Sequence, residues 1–172
     1  MNKALLLIVD VQKGFLQTAE TRAVVPCINE LVTAWQERSW PVAYSRFINL
    51  ENSNWQRLRD WHELTDEPAT QLADGLIVTG NYIFKKSTYA AWSPETAAVC
   101  AGQGITDVVI AGVDTNECVL ATALAVFDAG LTPWVAENCC ASNGGSKPHA
   151  AAIGLLKPLL GEQQIVKSSQ LL

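Results

Sequence analysis

Ala4-Leu5-Leu6-Leu7-Ile8-Val9-Asp10-Val11 is hydrophobic at every position but Asp10. A strand with one face in water alternates apolar and polar residues. An almost continuous apolar run therefore reads as a strand covered on both faces, at the centre of a parallel sheet. Outward from it, Val24, Ile28, Leu31, Val32 and Trp35 recur at helical spacing, which predicts a helix from about Thr21 or Ala23 to Arg38. A second strand follows at Pro41 to Phe47. Leu50 to Ala73 carries aromatics, charges and Pro68 without a clean period, and reads as a long loop with one or two helical turns.

The same alternation continues to the end of the chain. Strand three is expected at Tyr82 to Lys85, with an extended segment at Leu76 to Thr79 as a candidate lead-in, and a helix at Pro94 to Ala101 that starts on a proline suited to a first turn. Strand four is Asp107 to Ala111, followed by a helix from about Glu117 to Ala129 that stops at Gly130. Strand five is Thr132 to Ala136, the last helix Lys147 to about Leu160, and strand six Gln164 to Lys167. This βα alternation predicts one domain over residues 1–172. Its expected architecture is a three-layer α/β/α sandwich, Rossmann-like, around a six-stranded mainly parallel sheet.

Composition narrows the function classes. A chain of 172 residues is long enough to bury roughly 70% of its unfolded surface without a disulfide. Five cysteines, Cys27, Cys100, Cys118, Cys139 and Cys140, are an odd number without paired CxxC spacing, and predict reduced thiols and a cytoplasmic setting. The apolar run Ala4 to Val9, preceded by Met1, Asn2 and Lys3, is too short for a signal-peptide core or a membrane span. A net charge of −5 with no Lys or Arg cluster leaves no footprint for nucleic acid.

In a doubly wound sheet, ligands bind beyond the carboxyl ends of the strands. Polar residues there are the candidates: Asp10 after strand one, Lys86 after strand three, and Cys118 in Gly112-Val113-Asp114-Thr115-Asn116-Glu117-Cys118-Val119 after strand four. Each has a structural reading when taken singly: a cap, a surface charge, a small apolar core residue. Together they are complementary as acid, ammonium and thiol. A cysteine in the first turn of a helix meets free backbone N–H groups and the positive helix end, which are expected to lower its pKa below the free value of roughly 8.5. The same donors suit an oxyanion.

Four stretches resemble the isochorismatase-like cysteine hydrolases, which include nicotinamidases and carbamoyl-amide hydrolases. They are Ile8-Val9-Asp10-Val11-Gln12-Lys13-Gly14-Phe15, Lys86-Ser87-Thr88-Tyr89-Ala90-Ala91-Trp92, Gly112 to Val119 continued by Leu120 to Ala123, and Cys139-Cys140-Ala141-Ser142 with His149 beyond. Lys85 rivals Lys86, but side chains alternate along a strand and the tyrosine register selects Lys86. The resemblance implies Asp10 as general base, Lys86 as the cation that holds both anions, and Cys118 as the nucleophile that forms a thioester with a small-molecule carboxamide or ureido substrate. It also implies a cis peptide at Val113–Asp114, with the backbone N–H groups of Asp114 and Cys118 as the oxyanion hole, and assembly as a homo-oligomer, a dimer or larger.

Metal-dependent nicotinamidases carry an aspartate and histidines between the second and third strands. Here Ser45 to Asn52 holds no such group, and the only histidines are His62 and His149, both read as structural. Neither a metal nor another cofactor is therefore expected. Phe15, Trp55, Tyr89 and Trp92 are candidates for an apolar substrate pocket, and Arg46 for a carboxylate clamp against the alternative of a surface ion pair. Trp35, Trp40 and Trp134 read as core or interface residues. Two other functions fit the same fold: an isochorismatase-type vinyl-ether hydrolase in which the cysteine is dispensable, and a noncatalytic binding or assembly protein.

Overall fold

The computed structural model describes residues 3–80 and 82–172, so Met1 and Asn2 of the amino-terminal reading lie outside it. Six parallel strands are ordered β3-β2-β1-β4-β5-β6. They are β1 (Ala4–Val9), β2 (Val42–Phe47), β3 (Ile83–Lys86), β4 (Asp107–Val113), β5 (Thr132–Ala141) and β6 (Ile165–Val166). The helices are α1 (Ala19–Glu37), α2 (Asn54–Arg59), α3 (Pro94–Gln103), α4 (Leu120–Asp128) and α5 (Ser146–Leu160). Strand order reverses between β1 and β4, which places the switch point of the sheet at the ends of these two strands.

Every residue of β1 is fully buried. Leu6 and Ile8 join a core with Val24, Ile28, Leu31 and Trp35 of α1. Leu5, Leu7 and Val9 face the other core, with Cys100 of α3, Ala123 and Val126 of α4 and Ile153 and Leu156 of α5. Burial on both faces is the physical cause of the unbroken apolar run. A third, smaller cluster of Phe47, Trp55 and Leu64 sits where the long loop folds over the end of β2.

Helix α1 begins earlier than periodicity indicates, because Thr18 caps it by accepting from the Thr21 backbone N–H while the Thr21 side chain answers the Thr18 backbone. The predicted helix after β4 instead opens with a π-helical turn, Thr115–Val119, before α4. Strand β5 runs five residues past its expected end. Its register against β4 passes from Ile110↔Val135 to Gly112↔Cys140, so β5 bulges outward between Val135 and Cys140. Gly112 is required on the facing strand: its φ is +133°, and a Cβ there would overlap the carbonyl oxygen of Val9.

The bulge overturns one expectation about the thiols. Cys27 of α1 and Cys139 of β5, 112 residues apart, form a disulfide, while Cys100, Cys118 and Cys140 are free and buried. Spacing in the chain carried no signal of the pair, because the crossing of α1 over β5 is what brings the two together. The cysteines consequently give no argument for a reducing compartment. No helix among the described residues is long and apolar enough to cross a membrane.

Candidate active site

Asp10 follows β1 in a left-handed conformation, φ 52°, with its side chain completely buried. Its Oδ1 accepts the Ser45 hydroxyl at 2.6 Å, and the Ser45 oxygen accepts the Asp10 backbone N–H at 3.1 Å. Its Oδ2 lies 2.6 Å from Lys86 Nζ. Lys86 reaches Asp10 across β2, passing over the Phe47 ring with Nζ 5.2 Å from the ring centre. The ammonium also donates to the carbonyls of Thr88 at 2.7 Å and Tyr89 at 3.0 Å. Those acceptors fix its direction, and Cys118 Sγ stands 3.5 Å away.

Cys118 lies in the π-helical turn after β4 and is 5% exposed. Thr122 anchors this turn by donating to the Cys118 carbonyl at 2.6 Å and accepting from the Ala91 N–H at 2.8 Å. The expected fall in thiol pKa is reversed. Burial first, then the adjacent Asp10 charge, push the thiol well above its ordinary value, and Lys86 offsets only part of that. Both effects favour the protonated thiol, and Lys86 Nζ lies between it and Asp10, 3.5 Å from Sγ and 2.6 Å from Oδ2. The Val113–Asp114 peptide bond is cis.

A cavity of about 130 Å³ reaches Cys118, lined by Phe15, Phe47, Trp55 and Trp61 with Arg59, Asp114, Glu117 and Asn143 among the polar residues. Phe47 and Trp61 each neighbour the other three rings, with centroid separations from 5.0 Å for Phe47–Trp55 to 6.1 Å for Trp55–Trp61. Arg59 closes on Glu117 through two bonds of 3.0 and 3.1 Å and also donates to the Tyr89 hydroxyl at 3.0 Å. A wider groove of about 630 Å³ shares Trp55 and Arg59 with this cavity.

Of the five expected pocket residues, the cavity takes Phe15 and Trp55 alone. Arg46 is spent elsewhere: it donates to the Thr70 carbonyl at 2.8 Å and pairs with Glu67 at 3.3 Å. Trp92 packs against the α3–α5 core. Tyr89 packs on the outer side of Trp55, ring centres 4.3 Å apart, in the groove. Sequence reading passed over Phe47, Trp61, Arg59, Glu117 and Asn143. Glu117 immediately precedes the cysteine, but Arg59 and Trp61 lie in the aperiodic loop, where no register indicates direction.

Two amides hold the frame, Gln12 fully buried and Asn143 partly so. Gln12 accepts from the Phe47 N–H at 2.7 Å and donates to the carbonyls of Phe47 at 3.0 Å and Thr70 at 2.9 Å, tying the ends of β1 and β2 to the loop. Asn143, beyond β5, donates to the Phe15 carbonyl at 2.7 Å and to Asp114 Oδ1 at 2.8 Å. His149 pairs with Thr115 at 2.8 Å, and His62 with Asp60 at 3.1 Å in the exposed loop. Among the described residues no group of three or more His, Cys, Asp or Glu side chains is arranged to hold a metal ion.

The family model of the isochorismatase domain matches residues 4–167. The chain belongs to the isochorismatase family. This isochorismatase-family hydrolase superimposes on an isochorismatase-like hydrolase from Alkaliphilus metalliredigens with a TM-score of 0.85 at 17% identity, over 98% of this chain and 96% of that one. It is similar to N-carbamoylsarcosine amidase from Thermoplasma acidophilum, TM-score 0.84 at 18% identity over 96% of each chain. Nicotinamidase from Bacillus subtilis gives 0.80 at 21% identity over 92% of this chain and 97% of that one. No curated protein matches in sequence. At these identities the solved neighbours speak for the fold of this isochorismatase-family chain.

Proposed function

We propose that the protein hydrolyses the C–N bond of a small carboxamide or ureido compound through a Cys118 thioester. The observation that carries this reading is the buried chain of Asp10, Lys86 and Cys118 at the end of the aromatic cavity. A thiol held well above its ordinary pKa is a poor nucleophile until its proton is removed, and Asp10, linked to it through Lys86, is the base at hand. Asp10 takes the proton as sulfur attacks the substrate carbonyl. Negative charge moves from carboxylate to sulfur to oxyanion, and Lys86, within 3.5 Å of both Asp10 and Cys118, remains beside it. The backbone N–H groups of Asp114 and Cys118 bind the oxyanion.

Collapse of the tetrahedral intermediate breaks the C–N bond, with the proton on Asp10 passing to the leaving amine. Water, deprotonated by Asp10, then cleaves the thioester and regenerates the thiol. No metal or other cofactor enters this reading. A homo-oligomer belongs to it as well; Leu50, Leu58 and Tyr89, exposed beside the groove, support the assembly.

The test is an amide panel read by ammonia release, with mass mapping of the Cys118 peptide in quenched reactions. An acyl adduct on Cys118, and loss of turnover in Cys118→Ala and Asp10→Asn alike, is the expected result. Ammonia release that survives Cys118→Ala would sink the thioester; no ammonia from any amide, with a vinyl ether cleaved by Cys118→Ala but not by Asp10→Asn, would point to acid-catalysed vinyl-ether cleavage instead.

A further inference from the structure

The charges lining the cavity are unequal, and the imbalance bears on which substrate the proposed hydrolase accepts. Arg59 is already held by both oxygens of Glu117, and Lys86 by Asp10 and two carbonyls. Both cations already carry an anionic partner, with which a ligand anion would have to compete. Asp114, by contrast, pairs with no cation among the described residues. Its hydrogen bonds come from Asn143 alone, one at 2.8 Å from the side chain to Oδ1 and one from the backbone. The nearby charges of Glu117 and Asp10 repel it, and burial together with that repulsion pushes its carboxyl up to about 6. A desolvated carboxylate satisfied only by neutral donors is stabilised by any further N–H or cation brought to it.

We propose that the Asp114 side chain is the recognition group of the pocket, selecting small amides that carry a second N–H donor, amino, amidino or ureido, and excluding amides that carry a carboxylate. This inference rests on the amide-hydrolase reading and adds the substrate class. The cavity, about 130 Å³, suits a small substrate body. Phe15, Phe47, Trp55 and Trp61 favour a flat one. Asn143 positions Asp114 and, through the Phe15 carbonyl, the aromatic side of the same cavity.

Three small amides separate the possibilities: glycinamide and propanamide, matched at five heavy atoms, and malonamate, which adds the carboxylate. Binding is read in Cys118→Ala by tryptophan fluorescence, since Trp55 and Trp61 line the cavity, and hydrolysis in the parent by ammonia release. Glycinamide is expected to bind about tenfold or more tightly than propanamide, with malonamate weakest. In Asp114→Asn, which keeps an acceptor for Asn143, the order collapses. In the parent the preference fades as pH falls below about 6, where Asp114 becomes neutral. Equal binding of the three amides, or an order unchanged in Asp114→Asn, overturns the inference. Ordered binding without ammonia release and without a Cys118 adduct leaves recognition by Asp114 standing and overturns the hydrolase reading instead.

Discussion

Lys86 Nζ lies 2.6 Å from Asp10 Oδ2, with the two side chains 7% and 0% exposed. Removing one member of such a pair strands a charge away from water, at a cost of about 3–5 kcal/mol. Asp10→Asn and Lys86→Met are each expected to lose stability on that scale and to lose turnover. The double variant should be less destabilised than the sum of the two, because no unpaired charge remains. Urea denaturation followed by circular dichroism reads this directly. Additive losses would mean that the two charges are not coupled.

Cys118 alkylation separates thiol acidity from catalytic competence. Asp10 raises the thiol pKa and Lys86 lowers it. At fixed pH near 8, iodoacetamide labelling of Cys118 should therefore quicken in Asp10→Asn and slow in Lys86→Met, although both variants are inactive. The labelling rate of the parent should keep rising through pH 9. A plateau below pH 8 would show a thiolate already formed at rest, and Asp10 would have no proton to remove.

Asp114 has a consequence for stability that its role in recognition does not share. Its folded pKa, about 6, stands above the ordinary 3.8, so folding favours the protonated form. The penalty is absent below pH 3.8, grows as pH rises from there to 6, and is complete above, at most roughly 3 kcal/mol, less for the part of the carboxylate that water reaches. Asp114→Asn should then be more stable than the parent at pH 7.5, with the gap closing toward pH 4. Denaturant midpoints at the two pH values check it, and a gap of equal size at both would contradict the burial of this carboxyl.

The Cys27–Cys139 disulfide ties α1 to the bulge of β5, four residues before Asn143. Thiol titration of the unfolded, unreduced protein should count three free groups, and five after reduction. Cys27→Ser is expected to lower stability by about 2–5 kcal/mol. Finding five thiols before reduction would refute the bond.

Some of this molecule follows from local chemistry. The apolar run of β1, the helical period from Val24 to Trp35 and the glycine stops record burial on one or two faces of an element. Burial of that kind is written into neighbouring residues, and so the six strands and their parallel order could be read in advance. Asp10, Lys86 and Cys118 could also be singled out, because strand ends in this architecture converge wherever they fall in the chain. Other features depend on which distant side chains arrive at the same point. The choice of Arg59 over Arg46, the burial that holds Cys118 as a thiol, and the pairing of Cys27 with Cys139 are of this kind. So are Gln12 and Asn143, whose polarity reads as surface until their partners are known. Periodicity reports the environment of an element, whereas a hydrogen bond, a disulfide or a desolvated charge is a relation between elements, and only the folded chain supplies its second member.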